Sequence, residues 1–200
     1  MIKVSGNGLV SKSDSLDSAD TQGIKTFGQF IEVSANNVKI SNTRTTSNAY
    51  GIYHLGRSNV CKSGVESNTI SISVKADQAT YGVYVGGTDG PGRSIKGNNI
   101  TIDDSRGTRT DYAYGILVND TQNNITANVI DLVNSHVTYD VPIRFNVNAD
   151  DNVAVGNTFL NVGRGVWNLA SGNNLGGNNE TGINLVPHDG QFARQFMNMT

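Results

Sequence analysis

The chain has 200 residues and a mass of 21.3 kDa, enough for one domain with a substantial hydrophobic core. Asn (26), Gly (23), Ser (17) and Thr (17) account for 83 residues, and Val plus Ile (35) far outnumber Leu (9) and Ala (11). This composition disfavours helix bundles and doubly wound α/β folds, because it is poor in helix formers. The net charge of −2, without a basic stripe, argues against a nucleic-acid partner.

Several other classes of protein and site are also disfavoured. No stretch approaches the ~18 apolar residues of a membrane span, and the opening residues lack the apolar region of a signal peptide, so no membrane insertion is expected. The single Cys61 cannot form an internal disulfide. His136 and His188 have no Cys or His partner at metal-ligand spacing, so neither a metal nor a cofactor is expected.

A repeat beginning at an Asn runs through the chain. Its clearest copies place Asn two residues before a large apolar residue, at intervals of 30, 30 and 29, in Asn68, Asn98, Asn128 and Asn157. Weaker copies surround Asn7, Asn42 and Asn178. A fixed period of this length is typical of solenoids, so seven units are predicted.

A second motif, a small residue followed by Ile or Val, keeps step with the first. Its copies are Gly23-Ile24, Gly51-Ile52, Gly82-Val83, Gly115-Ile116, Pro142-Ile143, Gly165-Val166 and Gly182-Ile183. Each unit therefore contains three short segments in which apolar residues alternate, which is the period of a strand with one buried face.

Three short strands per turn of about 30 residues predict an all-β solenoid of about six to seven coils, stacked about 4.8 Å apart. The repeating Asn is expected at the bend between the second and third strands, where it adopts a left-handed backbone. Asn side chains stacked along the axis would hydrogen-bond to one another and satisfy the polar groups of a buried bend.

The alternating Asn-x-[Ile/Val]-x-[Ile/Leu] and Gly-[Ile/Val] copies resemble the right-handed parallel β-helix repeats of the pectate-lyase-like superfamily, over roughly residues 23–185. Within it, the polar texture looks most like bacteriophage tailspikes and related polysaccharide-binding or polysaccharide-degrading proteins. The resemblance implies a parallel homotrimer, a polysaccharide partner and a location on a virion tail or outside the cell. The resemblance is specific for the fold and weak for activity, because this solenoid hosts many functions. The chain matches no catalytic motif of a particular tailspike.

Residues 1–186 are expected to form the β-helix, and residues 187–200 a C-terminal cap or tail. Phe192 and Phe196 lie four residues apart, as on a short helix that plugs the last coil. The start enters a strand-like unit by residue 2 without a polar cap, so we expect preceding chain or a partner to cover that edge.

Alternation also predicts a stripe of outward side chains. If Ile52, Val83, Ile116, Ile143 and Val166 point inward, the residues that follow them point outward: Tyr53, Tyr84, Leu117, Arg144 and Trp167. Aromatic faces and a planar guanidinium suit sugar rings, so Tyr53, Tyr84, Arg144 and Trp167 are the candidate substrate-binding residues. Gly51, Gly82, Gly115 and Gly165 are expected to point outward beside them. The same stripe would equally suit contact between subunits of a trimer.

Glycoside hydrolysis would need two carboxylates across the scissile bond. The candidate catalytic residues are Asp104 and Asp111, which flank a long insertion, and Asp140 one coil onward. His54 falls on the inward side, where a core histidine is expected.

Three functions remain after these arguments. The favoured one is recognition of bacterial capsule or O-antigen, with or without depolymerisation of the glycan. The alternatives are a structural or oligomerisation shaft without glycan activity and a carbohydrate lyase or epimerase, although no clustered acidic set for Ca²⁺ recurs on adjacent coils.

Overall fold

The structure is a computed structural model that describes residues 2–13, 20–28, 30–42, 48–57, 63–74, 79–88, 92–105, 111–134 and 140–181. Within these ranges every regular element is a β-strand. The strands are β1 (Ile2–Ser5), β2 (Gly8–Ser13), β3 (Thr21–Gly28), β4 (Ile31–Ser34), β5 (Asn37–Asn42), β6 (Ala49–Arg57), β7 (Gly64–Glu66), β8 (Thr69–Val74), β9 (Thr80–Thr88), β10 (Ser94–Lys96), β11 (Asn99–Asp104), β12 (Ala113–Val118), β13 (Asn124–Thr126), β14 (Val129–Val133), β15 (Asp140–Phe145), β16 (Val153–Val155), β17 (Thr158–Leu160), β18 (Trp167–Asn168) and β19 (Asn179–Thr181).

Three parallel sheets wrap around one core. Sheet A has the order β1-β4-β7-β10-β13-β16, sheet B the order β19-β17-β14-β11-β8-β5-β2, and sheet C the order β18-β15-β12-β9-β6-β3. Consecutive strands therefore belong to different sheets, and each strand pairs with its equivalent one repeat away. The predicted all-β parallel solenoid is confirmed. The proposed cap, with Phe192 and Phe196, lies outside the described residues.

Columns of aliphatic side chains fill the interior. On sheet C, the predicted inward residues Ile52, Val83, Ile116 and Ile143 are each fully buried, and Val166 is nearly so. They pack against similar columns from the other sheets. One of these columns, on sheet B, consists of Ile70, Ile100 and Ile130. Each coil thus contributes an Ile or Val to the same column, and the neighbouring coils bury it.

The corner between sheets A and B contains the predicted Asn ladder. The backbone N–H and Nδ2 of Asn68 donate to Oδ1 of Asn98 at 3.0 and 2.9 Å, and Asn98 donates in the same way to Asn128. Asn7, Asn36, Asn157 and Asn178 continue the ladder in both directions. Each Asn thus satisfies polar backbone groups that the turn would otherwise bury unpaired.

Two details of the predicted ladder are wrong. Asn36, not Asn42, supplies the second position, because Asn42 pairs with Val74 inside sheet B. The left-handed residue is the one before each Asn, and the side chain there is small or absent: Gly6, Ala35, Ser67, Gly97, Ala127, Gly156 and Gly177, with φ between 53° and 73°. Asn itself is needed for its side-chain donors and acceptor rather than for its backbone.

A second ladder, which the sequence analysis did not identify, lines the corner between sheets C and A. The backbone N–H of Asn123 donates to Oδ1 of Asn152 at 2.7 Å, and that of Asn152 donates to Asn173 at 2.6 Å. Arg93 occupies the preceding position, and its backbone N–H donates to Oδ1 of Asn123. Its buried guanidinium pairs with Asp120 through Nη2 and Oδ2, 2.9 Å apart.

The expected outward orientation of Gly51, Gly82 and Gly115 is also wrong. A Cβ on Gly82 would lie 2.5 Å from Cγ2 of Ile100 in the core and 2.5 Å from the carbonyl oxygen of Gly115. Gly51 and Gly115 face Ile70 and Ile130 equivalently. These glycines therefore let sheet B side chains pack directly against the backbone of sheet C.

Candidate functional site

The outer face of sheet C carries two parallel rows of large side chains. One row contains the predicted Tyr53, Tyr84, Leu117, Arg144 and Trp167, aligned by strand register. The other contains Tyr50, Tyr81, Tyr114 and Val141. Both rows lie outside because a small residue between them, Gly or Pro, interrupts the alternation of the strand. The strand register shows the interruption: the residues before and after the small residue pair with their equivalents, but Gly51 does not pair with Gly82, nor Gly115 with Pro142.

The tyrosines of each row stack along the solenoid axis. Tyr50 and Tyr81 have ring centroids 4.7 Å apart with planes 7° apart, and Tyr53 and Tyr84 lie 4.8 Å apart with planes 18° apart. Between rows the rings meet edge to face, as Tyr50 and Tyr53 do at 4.8 Å. Both geometries are favourable for aromatic quadrupoles, so the rows support each other as a rigid surface.

This surface is partly buried in itself. Tyr114, Leu117 and Val141 form a second apolar cluster outside the main core, and Tyr81, Tyr84, Tyr112 and Trp167 pack against it. Tyr53, Tyr84, Arg144 and Trp167 remain half-buried. Only part of the surface of each of these four candidate binding residues is therefore accessible to a ligand.

Burial further disfavours ionisation of the inner-row tyrosines, Tyr50, Tyr81 and Tyr114. It raises the pKa of Tyr50 to about 12, and it raises the pKa values of Tyr81 and Tyr114 as well. The hydroxyls therefore stay neutral near pH 7 and act as hydrogen-bond donors and acceptors, not as anions.

Arg144 and Arg164 flank Trp167 at one end of the face. The guanidinium carbons lie 4.4 and 5.0 Å from the Trp167 ring centroid, within cation–π range. Arg144 also lies 5.3 Å from the Tyr114 ring centroid and donates from Nη1 to the Tyr114 hydroxyl. Burial lowers the pKa of Arg164, while Tyr112, Tyr114 and Asp140 act in the opposite direction.

A groove of about 530 Å³ opens beside Arg144. Its lining includes Tyr84, Asn119, Arg144, Asn146, Val147 and Leu169. Val147 and Leu169 are exposed apolar side chains, with 66% and 41% of their surface accessible. The groove thus combines apolar contact area with amide and guanidinium groups, a mixture that suits small polar ligands.

A hydrogen-bond network holds the amides of the groove in place. Nδ2 of Asn119 donates to the Tyr84 hydroxyl at 2.6 Å, and Nδ2 of Asn146 donates to Oδ1 of Asn119. Both residues directly follow inward positions at strand ends, Val118 and Phe145, and their backbone N–H groups donate to the preceding coil. The amides are therefore positioned by the sheet itself.

The three candidate acids lie near the corner between sheets B and C, in different environments. Asp104 ends β11 beside Val74 and is buried, whereas Asp111 is exposed two residues before β12. Asp140 begins β15 next to Ala113 of the previous coil and is fully buried. Of the three, only Asp111 is open to solvent.

Sequence reasoning missed Tyr50, Tyr81 and Tyr114 as outward residues, since alternation gives them the same side as the inward Ile52, Val83 and Ile116. It also missed Asn119, Asn146 and Arg164. A repeated Asn directly after an inward strand residue was the available indication for the first two.

His54 lies inside, as expected from alternation. Its Nδ1 lies 2.6 Å from Oγ1 of Thr26, and it aligns with Val85. Burial and the charge of Arg93 lower its pKa to about 4. It is therefore a neutral core residue at neutral pH.

No protein-family model matches the chain, and neither a curated protein nor a solved structure shows significant similarity to it. Within the described ranges, no three His, Cys, Asp or Glu residues cluster as metal ligands would. The same ranges contain no helix long and apolar enough to cross a membrane.

Proposed function

We propose that this chain recognises a bacterial surface polysaccharide, capsule or O-antigen, through the outer face of sheet C. The observation that carries the proposal is the groove in which Arg144, the Asn119–Asn146 amides and apolar side chains meet beside stacked aromatic rings. Sugars offer apolar ring faces and hydroxyl rims, and this surface has complementary groups for both.

The solenoid geometry favours a polymer over a single sugar. Equivalent side chains recur along the axis at stacking distance, as in the 4.8 Å between Tyr53 and Tyr84. A chain of sugars lying along the axis would meet similar groups at successive positions. The resemblance to tailspikes supports the same proposal, and with it we propose a location on a virion tail or outside the cell.

The same resemblance leads us to propose a parallel homotrimer. Light scattering of the full chain should then give about three times 21.3 kDa. A mass near 21.3 kDa at working concentration would contradict the trimer without affecting glycan recognition, because the groove is formed by one chain.

Depolymerisation is a separate proposal, which would use Asp111 with Asp140 or Asp104. The burial of Asp104 and Asp140 requires substrate to displace the groups around them before either could transfer a proton. New reducing ends on incubation with polysaccharide would show cleavage, and its loss in the double variant Asp111→Asn, Asp140→Asn would assign the acids.

Binding is tested with a variant of the outer row of sheet C, a variant of the groove and a control. Trp167→Ala and Leu169→Ala should weaken binding to capsules and O-antigens from a bacterial panel, the former by about 1–3 kcal/mol, as for a large aromatic contact. Val129→Ala, an exposed residue on the outer face of sheet B, should leave affinity unchanged.

Unchanged affinity in both Trp167→Ala and Leu169→Ala would contradict binding at this face. If the folded protein bound no glycan in the panel, the structural-shaft alternative would take its place.

A further inference from the structure

Arg144 is the charged group of the groove, and its surroundings are unusual for a surface arginine. Its guanidinium lies between the rings of Trp167 and Tyr114, and its Nη1 donates to the Tyr114 hydroxyl. In the part of the chain that the structure describes, Arg144 forms no salt bridge, and its buried Nε has no hydrogen-bond partner. The rings fix the position of this charge without neutralising it.

The nearby acids do not change this arrangement. Asp140 is buried at the first position of β15 and interacts electrostatically with Arg164, the second guanidinium beside Trp167. Asp111 is exposed and acts on Tyr114. The remaining side-chain groups that bond within the groove are uncharged: Asn119 donates to the Tyr84 hydroxyl and accepts from Nδ2 of Asn146, whose buried Oδ1 has no hydrogen-bond partner among the described residues.

We infer that the groove selects an acidic polysaccharide, with Arg144 binding the carboxylate of a uronate or sialate residue while the exposed Val147 and Leu169 contact its sugar ring. This inference rests on the proposed function and names its substrate class. Arg144 is the one charged side chain that lines the groove, since Arg164 lies beside Trp167 outside the lining, and one charge matches a monoanion. The planar N–H donors of the guanidinium match the two oxygens of a carboxylate.

Because the charge of Arg144 is already held in position, we expect the carboxylate to contribute strongly to binding affinity. Ordering a flexible arginine on binding costs rotamer entropy, but here the two rings already restrict the side chain. The half-buried setting also strengthens the interaction relative to open water. Hydrogen bonds to a charged group then correspond to roughly a tenfold to hundredfold change in affinity.

The test compares matched glycans on the full chain. Purified bacterial polysaccharides of three kinds are titrated by calorimetry: polymers with uronate or sialate residues, neutral polymers, and polymers with phosphodiester links. Each acidic polymer that binds is also tested after chemical reduction of its carboxylates to alcohols. We expect binding by acidic polymers, weakened roughly tenfold or more by carboxyl reduction.

Two charge variants locate the effect. Arg144→Gln should abolish the difference between native and carboxyl-reduced polymer, and Arg144→Lys should restore part of it, since it keeps the charge but loses the planar donors. Lys39→Gln removes one positive charge from the exposed face of sheet B and should leave the difference unchanged. Circular dichroism checks that each variant retains its strand content.

The outcomes separate this inference from the proposed function. Equal binding of native and carboxyl-reduced polymer, or preference for neutral or phosphodiester polymers, would overturn carboxylate selection while glycan recognition stands. Loss of the preference in Lys39→Gln as well as in Arg144→Gln would reduce it to general charge attraction and also overturn it. Absence of binding to every polymer would overturn both.

Discussion

At the scale of single residues, this fold depends on a few polar groups that must be buried. The Asn ladder is the main one, because each rung pairs side-chain and backbone groups of adjacent coils and its interior members are at most 2% exposed. Asn98 receives two hydrogen bonds from Asn68 and donates from Nδ2 to the carbonyl of Val65 at 2.7 Å. No apolar residue of similar size offers both donor and acceptor.

Replacing Asn98 by Ala should therefore be costly. The change removes the acceptor to which both the backbone N–H and Nδ2 of the buried Asn68 donate, at about 1–3 kcal/mol for each donor. We expect the free energy of unfolding in urea to fall by about 3–5 kcal/mol. Asn99→Ala, next to it on the exposed side of β11, is the control and should cost much less. Similar costs for the two variants would contradict a stabilising role of the ladder.

His54 gives stability a specific dependence on pH. Its pKa is about 4 when folded and 6.5 when exposed, so between these values the unfolded chain binds a proton that the folded chain does not. Stability should fall as pH is lowered from about 6.5 to 4, by up to about 3 kcal/mol from this residue.

The variant His54→Val isolates that contribution, because Val85 and Val118 occupy the same column in the next coils. The difference in unfolding free energy between wild type and His54→Val should change across this pH window and stay constant above it. A constant difference from pH 4 to 7 would show that His54 does not titrate as described. Urea titrations at several pH values measure it.

At the scale of elements, the contact between sheets B and C depends on glycine. Gly51, Gly82 and Gly115 place bare backbone against Ile70, Ile100 and Ile130, and the strand alternation is interrupted there. The same interruption turns both tyrosines of Tyr-Gly-x-Tyr to the outside. Packing inside and the aromatic rows outside are therefore two consequences of one backbone feature.

Gly82→Ala tests this contact. Its Cβ would lie 2.5 Å from both the Gly115 carbonyl oxygen and Cγ2 of Ile100, so the two sheets must move apart. We expect a loss of about 1–3 kcal/mol, as in other overpacked cores, together with a lower Tm. Gly8→Ala, whose Cβ would meet nothing within 4 Å, should be nearly neutral. A tolerated Gly82→Ala would show that the sheets adjust at little cost.

At the scale of the whole molecule, stability should vary along the axis. Interior strands have a hydrogen-bonded neighbour on each side, as β11 has in β8 and β14, whereas among the described strands β2 pairs with β5 alone. In a solenoid each coil contacts only its neighbours, so the ends open before the centre.

Hydrogen exchange followed by mass spectrometry should reveal this gradient. Amides of β11 should exchange more slowly than those of β2 by on the order of 100-fold or more, because opening free energies range from near zero at frayed ends to the global value in the core. Exchange at equal rates in both strands would instead indicate that the solenoid opens as a single unit.

The local pattern in the sequence was sufficient to predict the strand class, the repeat, the inward columns and the stacked Asn corner. These features recur in every coil, and each depends on residues a few positions apart, so a period of about 30 residues with apolar alternation specifies them. The outward row of Tyr53, Tyr84, Arg144 and Trp167 followed for the same reason.

Other features depended on contacts between coils and between sheets. Asn36 rather than Asn42 joins the ladder because strand pairing sets the register, and Tyr50, Tyr81 and Tyr114 face outward because close packing against sheet B interrupts the alternation. The groove at Arg144 combines Asn119, Asn146 and Leu169, which are distant in sequence and belong to different coils. Asn119 and Asn146 each follow an inward strand residue, but that pattern does not show which side chains meet them, since only the folded chain brings Arg144 and Leu169 beside them.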